Sequence, residues 1–517
     1  MSRQTAPLLT KIVATLGPAS DDSSTITTMI QAGVRVFRIN FSHGSFDDYT
    51  RMLQRVRQAS QQTGIAVGVL GDLGGPKIRV GEVVEGGIEL RVGDVVEFQR
   101  AEIRTDPSLQ SRIVFSTSYP DLVDEVQVGQ PMMLNDGDVR LRCSEKIGEG
   151  DGLRLVCEVE DGGVITSRKG VNLPDTELST PALTEKDLRC VDFAVEHGFD
   201  FLALSFVRRS ADVRRLRDRL CELGLPSRQP LGIDPPVAGR RDDELRLPIP
   251  IVSKIEKPQA VADIEAIIDA SDGIMVARGD LGVELDLADV PVVQKRIIEL
   301  CHDYGKPVIV ATQMLESMIN SPLPTRAEVS DVANAIFDGA DAVMLSGETA
   351  IGKWPVDATR MIGRIAQRTN QHLQNQPFSA RPPRHSRPSR YQSAALARGV
   401  ATIVRDLDAS MVVMWVNFDG SARFLSQNRL SRPIIAFCSD REALRRMTLM
   451  YGVQPIYMEQ PQDSIDFIRR AESVLIQAGW VSRGEAVVFV LGETIPDSYS
   501  TNHVFIHTIG ECASHDG

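Results

Sequence analysis

The sequence predicts an α/β protein: a (β/α)8 TIM barrel with a small all-β domain inserted into it and a C-terminal open α/β domain. Three observations lead there. Eight short, apolar, β-branched runs alternate with segments of helical period. Nearly every run stops at a polar cluster, as strands of a parallel barrel do at the face that carries chemistry. Between residues 78 and 170 the helical pattern disappears and valine-rich runs with turn pairs take its place.

The eight runs lie at 11–16, 36–41, 66–70, 201–207, 249–255, 273–277, 307–311 and 342–345. Amphipathic stretches such as 292–303 and 325–337 read as crossover helices. The polar tails include Thr15 to Pro18, Asn40 to His43, Gly71-Asp72, Arg208-Arg209, Lys254 to Glu256, Arg278 to Asp280, Thr312-Gln313 and Ser346 to Thr349. Ordinary loop polarity explains any one of them but not the whole set. In the interrupting segment, Glu85-Gly86-Gly87, Asn135-Asp136-Gly137 and Asp161-Gly162-Gly163 are hairpin signals, and Pro76 and Pro174 stand at its two necks. The expected division is a barrel from 1–76 and 172–375, an inserted lid at 77–171, and a C-terminal domain at 376–517. Residues 222–248 read as a long surface loop and 376–391 as a Pro/Arg/Ser linker. Beyond the linker, apolar runs at 411–416, 433–437, 454–457, 486–491 and 504–507 alternate with helical segments.

A chain of 517 residues exceeds one core and predicts several domains. A net charge of −12 argues against bulk nucleic-acid or anionic-membrane binding, which needs a basic face. The seven cysteines are dispersed without a C-x-x-C pair, as expected of reduced packing thiols. The N-terminus lacks the apolar core of a signal peptide, and no run approaches the ~20 residues that cross a bilayer, so a cytoplasmic protein is expected.

The chemistry concentrates on two tails. Lys254 and Glu256 are two apart, so on a strand they share a face. With Asp280 at the next tip, they bring one ammonium and two carboxylates together, a set suited to Mg²⁺ with substrate oxygens and water, with Mn²⁺ as a substitute. Each acid taken alone would ordinarily be a surface ion pair. Lys254 can neutralise charge growing on a phosphoryl group or an enolate oxygen. The glycines of Ala277-Arg278-Gly279-Asp280-Leu281-Gly282 leave backbone N–H groups free to hold a carboxylate or phosphate. Thr312 offers a hydroxyl for a proton, and Arg38 and Arg79 offer forked donors for phosphate.

These motifs resemble the pyruvate kinase family over nearly the whole chain. The matching segments are TLGPAS (15–20), RINFSHG (38–44), GPKIR (75–79), KGVNLP (169–174), LTEKD (183–187), SKIEKP (253–258), MVARGDLGVE (275–284), ATQMLESM (311–318) and MLSGETAIGKWP (344–355). The resemblance implies phosphate transfer from phosphoenolpyruvate to ADP, with later protonation of the enolpyruvate, a lid over the nucleotide, and a homotetramer. It implies Lys254 as the charge stabiliser, Glu256 and Asp280 as Mg²⁺ ligands, Ala277 to Asp280 around the substrate carboxylate, and Thr312 on the protonation path. It further implies Arg38 and Arg79 as phosphate clamps, Pro18 and Lys186 at the nucleotide, and Asn40, Ser42 and Asp72 at a monovalent-cation position.

Two departures carry expectations of their own. Many family members have an acidic residue and a Thr-Lys pair where this chain has Lys77 and Leu73-Gly74, and those members need K⁺. The ammonium of Lys77, a fixed charge worth ~4 kcal/mol to a phosphate at ~4 Å and an effective dielectric of ~20, predicts activity without K⁺. Members activated by fructose 1,6-bisphosphate often carry a Thr/Ser/Lys/Gly-rich phosphate loop where this chain reads Asn417-Phe418-Asp419-Gly420-Ser421. A later loop, 492–497, is also acidic, so no activation by that sugar is expected. Two rival functions remain. A Mg²⁺-dependent lyase or aldolase using a pyruvate enolate would need neither lid nor nucleotide loop. A catalytically silent regulatory paralogue would not need Lys254, Glu256, Asp280, Thr312 and Arg38 together.

Overall fold

The eight apolar runs close into a parallel barrel in which every strand pairs with its sequence neighbours and the first pairs with the last. A computed structural model describes residues 7–109, 112–226, 248–374, 383, 391–417, 420–492 and 501–511. Most of the 222–248 insertion and of the 376–391 linker, residues 418 and 419, and 493–497 lie outside the described residues. The expectation about the sugar-phosphate loops rests largely on these.

The barrel strands are Lys11–Thr15, Val34–Asn40, Gly68–Leu73, Phe201–Leu204, Ile251–Ile255, Gly273–Ala277, Val308–Ala311 and Ala342–Leu345. The third runs further than its apolar stretch predicts. Its extension through Asp72 is paired on both sides, with Asn40 and with Ala203, so a buried carboxylate lies inside the strand rather than after it. The fourth ends earlier, because Phe206 adopts a positive φ of 55° that breaks the extended chain. Helices lie between strands where the period predicts them, including Val290–Asp303 and Arg326–Asp338, the latter started by a Thr325/Glu328 capping box.

Alternation along the strands builds the interior. Val13, Val36, Leu70, Ala203 and Val252 belong to an apolar plug inside the barrel. Two residues further on, the same inward face carries Thr15, Arg38, Asp72, Ser205 and Lys254. One end of the barrel is thus sealed and the other is lined with charge. At the sealed end, aspartates preceding the fourth, sixth and eighth strands each accept the N–H of a residue on the strand before. Asp200 takes Val69 N at 2.7 Å, Asp272 takes Ile251 N at 3.0 Å, and Asp341 takes Val308 N at 2.8 Å.

The inserted segment forms a six-stranded sheet and a two-stranded sheet over a core of its own. Asn135-Asp136-Gly137 joins two antiparallel strands, Pro131–Leu134 and Val139–Ile147, as its turn signal predicts. Asp161-Gly162-Gly163 does not make a hairpin. The chain there leaves the larger sheet, and Gly163–Ile165 pairs instead with Ile88–Leu90. Gly162 serves close approach at that crossing, since a Cβ would stand 2.4 Å from Leu90 O. The C-terminal domain is a five-stranded sheet, parallel except for its last strand, Thr501–Thr508. Among the described residues no helix is long and apolar enough to cross a membrane.

Candidate active site

Lys254 lies at the open mouth of the barrel with its Nζ 2.8 Å from Glu256 Oε1, 2.8 Å from Ser205 Oγ and 3.4 Å from Asp72 Oδ2. Only 9% of the residue is exposed. Burial by itself would drive the proton off, but Asp72 and Glu256, helped by Asp280, overcome it and raise the pKa above the ordinary lysine value. The same balance acts on Asp72. Burial opposes its charge, and Lys254 and Arg38 together hold its carboxyl below the usual range. Arg38 reaches Asp72 Oδ2 with Nε at 2.7 Å and Nη2 at 2.6 Å, and donates to Thr15 Oγ1 at 3.1 Å.

Glu256 titrates the other way. Burial raises its pKa, Lys254 lowers it, and the neighbouring charge of Asp280 raises it again, leaving it above normal. Its Oε2 accepts from Phe206 N at 2.8 Å, a bond that the positive φ of Phe206 makes geometrically available. Asp280 is exposed to a cleft of about 350 Å³ between barrel and lid, where Lys77, Asp136, Lys257, Thr312 and Glu316 also line the wall. Among the described residues no group of three or more His, Cys, Asp or Glu could hold a metal by itself. A pair of repelling carboxylates, one of them resisting ionisation, is a donor set that a divalent cation would relieve. Two protein carboxylates also suit Mg²⁺, which keeps water and substrate oxygens in its shell.

Thr312 follows the seventh strand at φ 68° and Gln313 at φ 55°, costly backbone for a β-branched residue in particular. Thr312 Oγ1 accepts from Gly279 N at 2.7 Å and donates to Ala311 O at 2.6 Å, which fixes the hydroxyl over the 277–280 turn. The guanidinium of Arg278 points elsewhere. It pairs with Asp331 at 2.7 Å and donates to Thr312 O at 2.9 Å, so the side chain braces the strained turn while the backbone faces the cleft. Asn40 Oδ1 accepts from Ser42 N at 3.0 Å beside Asp72.

Four basic residues gather around His43: Arg79 and Lys77 from the lid neck, Lys186 from the helix Glu185–His197, and Arg38 from the second strand. Burial first and then these four charges in turn hold the imidazole below its ordinary pKa. Pro18 is exposed, and Gly17 behind it packs so tightly that a Cβ would meet Ala350 O at 2.5 Å.

Several contacts were not read from the sequence as functional. Glu284, buried, accepts at 2.8 Å from Nδ2 of Asn172, which is paired with Met133 of the inserted sheet, and pairs with Lys257, whose ammonium stands 5.8 Å from the Phe206 ring centroid. Asp187 accepts the N–H groups of Gly74 and Gly75 at 2.9 and 3.3 Å, anchoring the outgoing neck. Ser205 was legible from alternation alone, two residues beyond Ala203. Asn172 and Asp187 stood within matched motifs but carried no signal separating an anchor from filler.

Known proteins share this fold and much of this sequence. The family model described as "Pyruvate kinase, barrel domain" matches residues 8–228 and 240–359, and "Pyruvate kinase, alpha/beta domain" matches 394–507. A pyruvate kinase of Geobacillus stearothermophilus is 37% identical over 505 residues, covering 97% of this chain and 80% of that protein. One of Mycobacterium tuberculosis is 38% identical over 501 residues, covering 97% and 98%. The crystal structure of a pyruvate kinase from Cryptosporidium parvum superposes with a TM-score of 0.82 at 31% identity, over 97% of this chain and 96% of that one. This chain therefore belongs to the pyruvate kinase family.

Proposed function

We propose that this chain transfers the phosphoryl group of phosphoenolpyruvate to ADP, giving pyruvate and ATP, as a cytoplasmic homotetramer. The observation that carries the reading is Lys254, a buried ammonium kept charged by Asp72 and Glu256 at the mouth of the cleft that Asp280 and Thr312 line. As the P–O bond to the enolate breaks and an oxygen of the ADP β-phosphate takes the phosphorus, negative charge moves but does not vanish. Lys254 offsets it on the phosphoryl oxygens and then on the enolate oxygen. Arg38, Arg79, Lys186 and Lys77 form the cationic rim for phosphates, with Pro18 beside the nucleotide. The 277–280 backbone receives the substrate carboxylate, sharing the Gly279 N–H now given to Thr312 Oγ1. Thr312 stands on the path by which the enolate carbon gains its proton. Glu256 and Asp280 would hold Mg²⁺, which supplies charge neutralisation for the phosphoryl oxygens when bound.

The lid, residues 77–171, excludes water from the cleft, with the barrel formed by 1–76 and 172–375 and the C-terminal domain by 376–517. Lys77 substitutes for K⁺ near Asn40, Ser42 and Asp72; its place in the lining of the cleft and its positive field at His43 support this. Fructose 1,6-bisphosphate does not activate. The test is a coupled assay of pyruvate and ATP from phosphoenolpyruvate, ADP and Mg²⁺. Pyruvate formed without ADP would indicate a lyase, and no product at all a silent paralogue. Repeating it in K⁺- and Na⁺-free tetraalkylammonium buffer tests Lys77, where near-zero rates restored by K⁺ overturn that part. A leftward shift of the phosphoenolpyruvate curve with the sugar bisphosphate overturns the other.

A further inference from the structure

The lid contains two thiols that the reaction does not use. Cys143, on the strand Val139–Ile147, and Cys157, on Arg154–Asp161, are direct partners across an antiparallel ladder, so their side chains leave the same face. The backbone of Cys143 is committed to the opposite neighbour, with its N–H donating to Gln130 O at 3.0 Å and its C=O accepting from Gly129 N at 2.7 Å. Its pairing with Cys157 is therefore of the non-hydrogen-bonded kind, in which Cα atoms lie ~4.5 Å apart and side chains are closest. That spacing falls within the range a disulfide spans. Both thiols are buried in the lid core, at 1% and 0% exposure, with Met132 Sδ 3.6 Å from Cys157 Sγ.

We propose that Cys143 and Cys157 are a reversible disulfide site of the lid, oxidised by a small hydroperoxide. The two residues have distinct parts. Cys143 Sγ donates to Glu145 O at 3.8 Å; the neighbouring Cys157 lowers the pKa of Cys143 against the opposing effect of burial, and Lys146 adds to the lowering, while Cys157 is raised. Cys143, on the strand that also carries the Lys146 ammonium, is assigned as the attacking thiolate. Its sulfur takes one oxygen of hydrogen peroxide as the O–O bond breaks and hydroxide leaves, giving a sulfenic acid. Cys157 sulfur then displaces that oxygen as hydroxide, which takes the Cys157 thiol proton to become water, while the first hydroxide takes up the proton that Cys143 lost to solvent. Two thiols and one peroxide give one disulfide and two waters, with sulfur oxidised and peroxide oxygen reduced. Burial selects the oxidant: peroxide is water-sized and enters during local opening, whereas a bulky disulfide would have to unfold the sheet. The bond joins adjacent central strands and touches neither neck of the lid, so phosphotransfer continues in the oxidised protein.

The test uses the full chain carrying Cys221→Ser and Cys512→Ser. This removes the one thiol exposed among the described residues, and Cys512 near the C-terminus, leaving five of the seven (7 − 2). After native treatment with hydrogen peroxide and alkylation, peptide mapping without reductant is expected to show Cys143 linked to Cys157 and two thiols lost per chain. Dithiothreitol should restore both. In the further variant Cys157→Ser the link is absent and dimedone labels Cys143. Five surviving thiols, a link to Cys190, Cys301 or Cys438, oxidation confined to Met132, or a link that forms only in denaturant would each overturn the proposal. The linkage is read on a protein that retains both cysteines, so the outcome does not hang on the folding of Cys157→Ser.

Discussion

Two lysines are buried at opposite ends of the same barrel, and their surroundings drive them in opposite directions. Lys254, at the mouth, has Glu256 at 2.8 Å and Asp72 at 3.4 Å, and its pKa rises. Lys11, at the sealed end, donates among the described residues only to carbonyls, Leu8 O at 3.1 Å and Val453 O of the C-terminal domain at 2.6 Å. Burial pulls its pKa well below the ordinary value, and Arg35 pulls it lower still. Burial disfavours charge in both places, and only nearby carboxylates reverse that. The mouth is built to keep an ammonium charged, and the seam is built to hold an amine by dipoles alone. Catalysis of phosphoryl transfer needs the first kind of environment.

The largest expected effect comes from Lys254→Met. It removes the compensating charge, and kcat should fall by ~10²–10³, the ~2.7–4 kcal/mol of a lost fixed donor in a dry site. Asp72 keeps Arg38 and Glu256 keeps Phe206 N, so the melting temperature should move far less than activity does. Turnover within about tenfold of the parent would show that Lys254 is not the main charge stabiliser.

The mouth's charges also hold the lid, and Asn172→Ala measures how firmly. The substitution deletes the 2.8 Å bond to buried Glu284 and leaves Lys257 as that acid's ion-pair partner. A lost bond to a buried charge costs ~1–3 kcal/mol. Because Asn172, the first barrel residue after the lid, pairs through its backbone with Met133 of the lid sheet, the cost should fall on closure, raising KM for ADP more than it lowers kcat. A fall in kcat with KM unchanged would mean that Asn172 does not govern the lid.

This contrast between the two ends explains what could be read in advance. The barrel was legible because its strands are continuous apolar runs that stop in polar clusters, and Lys254, Glu256 and Asp280 stood at such stops. Asp72 was legible as a residue type but not as a strand member, since its place in the ladder depends on pairing with Asn40 and Ala203. The positive φ of Phe206 and Thr312 left no trace in composition, because neither residue type favours it. The turn of Arg278 toward Asp331 was equally hidden, since it depends on a partner 53 positions away. Lys11 read as the start of an apolar strand, and only the docked C-terminal domain reveals its partner.

At the sealed end, acid should loosen the seam. His302 Nε2 lies 2.9 Å from Gly339 O. Burial first and then Arg429 lower its pKa, while Asp341, Gly339 O and Asp303 resist. A histidine with a depressed folded pKa contributes stability that is present above its unfolded value of ~6.5 and lost as pH falls through the folded value. The parent's melting temperature should therefore drop below pH ~6.5 more steeply than that of His302→Gln. Parallel curves would exclude His302 as the source.

Lys11→Met is expected to have the smallest effect, and its sign decides whether the comparison is right. The substitution leaves Leu8 O and Val453 O without their donor but removes a group whose protonation the fold resists, so the two changes oppose each other near neutral pH. A lysine whose folded pKa is depressed favours the fold increasingly as pH climbs from that value toward ~10.5, because only the unfolded chain then releases a proton. The stability advantage of the parent over Lys11→Met should accordingly widen between neutral and alkaline pH, read as the difference of their denaturation midpoints. Activity should be unchanged, since Lys11 lies at the far end from Lys254. Were Lys11 held charged in the manner of Lys254, the linkage would reverse and the advantage would shrink as pH rose through the folded value. A narrowing gap would mean that the seam contains an unrecognised acid, and that the two ends of the barrel treat an ammonium alike.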